Sequence, residues 1–125
     1  MPNIDRVLIV EEETLLALDI ESVLADHHPF EVTHVRSVAD ASPLLLDPVL
    51  FRLAIVEARL GAVAVVTLTR KLVDAGVATI VMSADRKSME LFPHAVALEK
   101  PFDAARLLEA CDAAFAQLNS DVASS

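Results

Sequence analysis

At 125 residues the chain is long enough to bury a core as one domain without disulfides or metal staples. A hydrophobic content of 54% with only 2 glycines excludes a disordered chain, and no apolar stretch approaches the roughly 18 residues needed to span a bilayer. The net charge of -9 argues against nucleic acid as a partner, because phosphate contact needs clustered Lys and Arg.

The opening residues, Met1 to Arg6, lack the basic start and long apolar core of a secretory signal. Together with the single Cys111, which has no partner for an internal disulfide, this leads us to expect a cytoplasmic protein. Val7-Leu8-Ile9-Val10 followed by Glu11-Glu12-Glu13 reads as a first strand. It has no polar alternation, as in a parallel sheet covered on both faces. Leu16, Ile20, Val23 and Leu24 then recur at helical spacing to about His27, and His27-His28-Pro29 stops that helix. Phe30 to Arg36 alternates and predicts a second strand nearer the sheet edge.

Ser37 with Asp40 resembles a capping box, but Pro43 would fall inside the resulting helix, at a cost of about 3 kcal/mol. A short helix with Ser42 as N-cap and Pro43 at its first position avoids the conflict. Leu53 to Val56 predicts the third strand, ending at Glu57, with a helix from about Val63 to Asp74 closed by Gly76. Thr79-Ile80-Val81-Met82 before Ser83 predicts the fourth strand, and a helix near Arg86 to Leu91 follows. Ala95 to Leu98 predicts the fifth, ahead of Lys100-Pro101 and a last helix from Asp103, its N-cap, to about Asn119. On that helix Cys111 shares a face with Leu107, Ala114 and Phe115 and reads as a buried small hydrophobe. The pattern is a βα unit repeated five times: one domain over 1–119 and a polar tail over 120–125 expected to fray. No linker or second composition block leaves room for an output domain.

In a parallel sheet every carboxyl end lies on one edge, where ligands bind. Glu11, Glu12, Glu57, Ser83 and Lys100 should therefore converge although they are scattered along the chain. Plainer readings exist for each: Glu11 to Glu13 as a solvated turn that complements a helix dipole, Lys100 as a surface lysine, Ser83 as a cap for the next helix. The position of the acids after a buried strand, opposite Glu57 and Lys100, favours a site, while cap and site contact remain equally open for Ser83. His27, His28, His34 and His94 show no metal-ligand spacing.

The acidic cluster after strand one, the acid in Val56-Glu57-Ala58-Arg59-Leu60, the hydroxyl in Met82-Ser83-Ala84 and the Lys100-Pro101-Phe102 segment, in that order, resemble the receiver domain of two-component response regulators. The resemblance covers Arg6 to about Leu118. It implies a flavodoxin-like doubly wound parallel sheet of order 2-1-3-4-5 and transfer of a phosphoryl group from a partner's histidine to an acid after strand three. Carried over, Glu57 takes the phosphoacceptor position. Glu11 and Glu12 take the metal-ligand positions, with Glu57, around an Mg²⁺ ion that neutralises the transferring oxygens. Arg59 supplies a backbone carbonyl, Ser83 and Lys100 contact the phosphate, and Lys-Pro is commonly a cis peptide.

The chain departs from that pattern where it matters. Glutamate stands for aspartate at Glu57 and Glu12, and each extra methylene pushes a carboxylate roughly 1.3 Å further. In-line transfer loses about a hundredfold for 1 Å of misplacement, and the added length crowds the space Mg²⁺ needs. Ala97 also stands where many receivers carry an aromatic switch. The expected function is therefore a non-enzymatic, phosphorylation-independent interaction module in bacterial two-component or phosphorelay signalling, with no required cofactor. Its partners would be a histidine kinase, a downstream regulator or a second copy of the chain. The surface built from the fourth helix, fifth strand and last helix, with Met89, Phe92, Ala97 and Arg106, is the candidate partner face, although Met89 and Phe92 are equally readable as core. The rival functions are an active phosphoacceptor and a metal-dependent phosphatase or phosphotransferase on a similar sheet; the latter lacks an aspartate nucleophile at a strand end.

Overall fold

Why the sheet edge becomes a site follows from how the strands are stacked. The computed structural model describes residues 5–46 and 50–124, with side chains to 118; the start of the chain, 1–4, and the side chains of the expected tail, 120–125, lie outside the described residues. Five parallel strands run in the order β2-β1-β3-β4-β5: β1 Asp5–Val10, β2 Phe30–Val35, β3 Leu53–Glu57, β4 Ala78–Ser83 and β5 Val96–Glu99. This is the doubly wound order read from the sequence. The helices are α1 Thr14–His27, α2 Val38–Ala41, α3 Ala62–Asp74 and α4 Ala104–Ser124, with 3₁₀ segments at Ser42–Leu46, Ala58–Leu60 and Arg86–Leu91.

The central strands are apolar throughout because both of their faces are covered. Alternate residues feed two cores. Val7, Ile9, Leu53, Ile55, Ile80 and Met82 pack with Ile20, Leu24, Leu107 and Cys111 on the side of α1 and α4. Leu8, Val10, Ala54, Val56 and Val81 pack with Val65, Leu68 and Leu72 of α3 on the other. The β1–β3 and β3–β4 registers set Val10 beside Val56 and Val56 beside Val81, so these strands end level and their following residues meet at one edge.

Three expectations need correction. Ser37, not Ser42, is the N-cap: its Oγ accepts from the Asp40 N–H at 3.0 Å, and α2 is over before Pro43. The chain resolves the proline conflict by shortening the helix and passing into a 3₁₀ segment, where a missing N–H is cheaply borne. The fourth helix is only a 3₁₀ segment, capped by Asp85, whose carboxylate accepts from the Lys87 N–H at 3.0 Å. The backbone of α4 continues past Asn119 to Ser124, in a stretch without Pro or Gly to stop it. By contrast α3 closes as expected: Gly76 (φ 84°) donates to the Val73 carbonyl and Val77 to the Leu72 carbonyl, the paired bonds of a Schellman motif. Asp103 caps α4, accepting from the Arg106 N–H at 2.9 Å.

Candidate functional site

Glu11 follows β1 directly and is fully buried, at 0% exposure, while Glu57 closes β3 at 3%. Between them lies Lys100, one residue beyond β5, with its backbone N–H tied to the Ser83 carbonyl at 2.8 Å and its side chain 17% exposed. Lys100 Nζ donates to Glu11 Oε1 at 3.2 Å. It stands 2.7 Å from Glu57 Oε2, off the line of a directed hydrogen bond, and we count that contact as an ion pair. The Lys100–Pro101 peptide is cis.

One ammonium thus serves two buried carboxylates. Burial pushes the Glu11 carboxyl above its ordinary 4.5, more than Lys100 pulls it down, and the Glu57 charge adds to the rise. Burial also works against the Lys100 ammonium, but Glu57 and Glu11 outweigh it and hold its pKa above the ordinary value. Glu11 Oε2 has no hydrogen-bond partner within the protein.

Glu12 behaves differently. Successive residues of an extended chain point to opposite sides, so with Glu11 turned in, Glu12 turns out. Its side chain is 49% exposed and accepts from Arg59 Nη2 at 2.8 Å; Glu13 lies 3.7 Å from the same nitrogen. The expectation that three lengthened carboxylates crowd one cavity is therefore corrected: two enter it and the third is held outside. Further bonds fix this loop from β2, with His34 Nε2 donating to the Glu11 carbonyl at 2.6 Å and Arg36 Nε to the Glu12 carbonyl at 3.2 Å.

An open cleft of about 690 Å³ lies over the pair, lined by Glu57, Arg59, Ser83, Asp85, Lys100 and Phe102 among others. Ser83 Oγ does not turn to Glu57. It donates to the Asp85 carbonyl and accepts from the Asp85 N–H, both at 3.0 Å, and so shapes its own turn while Asp85 caps the next segment. On the candidate partner face Ala97 and Arg106 are exposed and Met89 half-buried, but Phe92 is 3% exposed in the α3-side core. Phe92 is thus withdrawn from that face, because packing over β4 claims its ring.

These residues do not fit Mg²⁺ as arranged. The ion demands near-octahedral oxygen ligands at short range, yet Glu12 is engaged by Arg59, Lys100 occupies the space between the other two acids, and no three His, Cys, Asp or Glu side chains come together among the described residues. The sequence reading missed the roles of Arg59, Arg36 and His34; the opposite charges of Glu12 and Arg59, after neighbouring strands, were the available signal.

No family model matches the chain and no curated protein matches it. Solved structures do. A response regulator receiver protein from Sinorhizobium medicae superposes with a TM-score of 0.77 at 25% identity, over 94% of this chain and 96% of that one. This is a receiver fold. The likeness holds for a CheY-like receiver domain protein from Methanospirillum hungatei (TM-score 0.76, 17% identity, 95% and 99% covered). It holds also for the receiver domain of an HD domain-containing protein from Pseudomonas fluorescens (0.75, 19%, 94% and 99%). The strand-end cluster of this receiver fold lies at the edge where open α/β sheets bind ligands. No helix among the described residues is long and apolar enough to cross a membrane.

Proposed function

We propose that this chain is a receiver-type module of two-component signalling that works by docking to a signalling protein, without a cycle of phosphorylation and without catalysis of its own. The observation that carries this reading is the glutamate at the strand-three position, held by Lys100 at 2.7 Å with Glu11 on the other side of the same ammonium. Lys100 is already neutralised by fixed protein charge, so an arriving phosphoryl group would have to compete with two buried carboxylates for its only buried cation.

Glu57 locks one conformation and does not imitate a phosphate. In support, Ser83 keeps both of its hydrogen bonds within its own turn, so the hydroxyl is not drawn toward the Glu57 carboxylate. A histidine kinase or a downstream regulator would then recognise a constant surface, whose exposed members Ala97 and Arg106 carry no aromatic switch. The test is intact-mass spectrometry of the full chain after incubation with acetyl phosphate and Mg²⁺. An unmodified mass is expected; a phosphoryl adduct mapped to Glu57 would overturn the reading in favour of an active phosphoacceptor.

A further inference from the structure

We propose that Arg59 is a lock on the cleft: by drawing the Glu12 carboxylate outward it keeps the acidic pocket from assembling into a divalent-cation site. Three observations carry this. The Arg59 guanidinium lies within ion-pair reach of both Glu12 and Glu13, at 2.8 and 3.7 Å. The Arg36 bond to the Glu12 carbonyl at 3.2 Å fixes the backbone from which Glu12 departs. Arg59 sits in the 3₁₀ turn that begins at Ala58, directly after Glu57, so the segment that places one acid in the cleft also places the cation that withdraws another.

Without Glu12 the pocket offers two carboxylates, both already facing Lys100. With it, the pocket would hold three acids against one ammonium, an oxygen-rich set of the kind that suits Mg²⁺ or Mn²⁺. The lock is weak by construction. Arg59 and Glu12 are 60% and 49% exposed, and exposed ion pairs of this kind hold each other only loosely. A group that competes for the guanidinium, such as a partner's carboxylate, would release it.

This deepens the docking reading and rests on it only for the identity of the cleft; metal binding, not phosphoryl transfer, is what the experiment reads, so each can fail alone. The probe is Mn²⁺, titrated into the full chain to millimolar concentration and followed by paramagnetic broadening of the Glu11, Glu12 and Glu57 amides, with far-UV circular dichroism as the check on folding. Wild type is expected to show only diffuse, non-saturating broadening. Arg59→Gln is expected to gain saturable broadening at those amides with an affinity at least about fivefold higher, the ratio that corresponds to an exposed ion pair at the top of its usual range. Arg59→Lys, which keeps the charge but not the planar fork, falls between. Glu12→Gln in the Arg59→Gln background abolishes the gain. Saturable broadening at these amides in wild type would overturn the proposal, and so would a folded Arg59→Gln protein, or a folded Arg59→Lys protein if the first fails to fold, that behaves as wild type.

Discussion

Replacing Lys100 with methionine tests how the cluster is balanced. The substitution keeps most of the side-chain volume and removes the one charge that faces Glu11, at 0% exposure, and Glu57, at 3%. Stripping one partner from a buried ion cluster costs about 3–5 kcal/mol, because the remaining charge is stranded in a poor dielectric. Lys100 is itself 17% exposed, and the water that reaches it screens part of the interaction, which puts the expectation near the lower end, about 3 kcal/mol. A chain of this length has about 6–19 kcal/mol of total stability, so the loss is a large fraction of the whole. In thermal terms it corresponds to a fall of roughly 10–15 °C in Tm.

The chain contains neither Trp nor Tyr, so urea unfolding is followed by far-UV circular dichroism. The loss should shrink as pH falls and the stranded carboxylates take up protons. Glu11→Gln with Glu57→Gln should remove most of it, since the methionine then faces neutral amides. A Lys100→Met protein that loses under about 1 kcal/mol at neutral pH would refute the account, as would one that loses as much in the double-glutamine background; the coupling across this cycle is the quantity that decides.

Three further outcomes follow from the geometry. His94 Nε2 donates to Thr69 Oγ1 at 2.7 Å while that hydroxyl donates to the Val65 carbonyl, leaving a buried Nδ1 with no acceptor for a second proton; burial, with Arg70 nearby, holds the ring below its ordinary 6.5 against the weaker pull of Asp74. Its contribution to stability is full above pH 6.5 and is lost as pH falls through that value toward the folded pKa, so His94→Gln should flatten the stability profile below pH 6.5; an unchanged slope counts against it. Asp103→Ala should cost about 1 kcal/mol by uncapping α4, measured by urea midpoint, and a change under a few tenths would mean the cap is idle. Cys111, 7% exposed with its thiol pushed up to about 11 by burial, should resist alkylation in the native protein at pH 8 and react on unfolding; fast native labelling would contradict its burial.

The strands were legible because a parallel strand covered on both faces must be apolar at every position, and Val7–Val10, Leu53–Val56 and Ile80–Met82 satisfy that with no helical competitor. The convergence of Glu11, Glu57 and Lys100 followed from the strand ends alone. What the sequence hid depended on side-chain direction and on local competition. The outward turn of Glu12 needed the phase of the residue after β1, which two consecutive glutamates do not reveal. Phe92 belongs to a 3₁₀ exit too short for periodicity to say which way its ring points. Around Pro43 two caps, Ser37 and Ser42, were both chemically sound, and only the observed bond from the Asp40 N–H to Ser37 Oγ distinguishes them.

The ion cluster also has a mechanical meaning. Glu11 and Glu57 hang from β1 and β3 in the middle of the sheet, whereas Lys100 trails from β5, a four-residue strand at the rim. Those contacts act as a rivet that fastens the most easily peeled strand to the stiffest part of the molecule, alongside the Lys100 amide bond to β4. Fraying should accordingly begin elsewhere while the rivet holds. A partner that gripped the 96–99 edge would be pulling on Glu11 and Glu57 through a lever four residues long, so that a touch at the rim would be felt at the centre of the sheet.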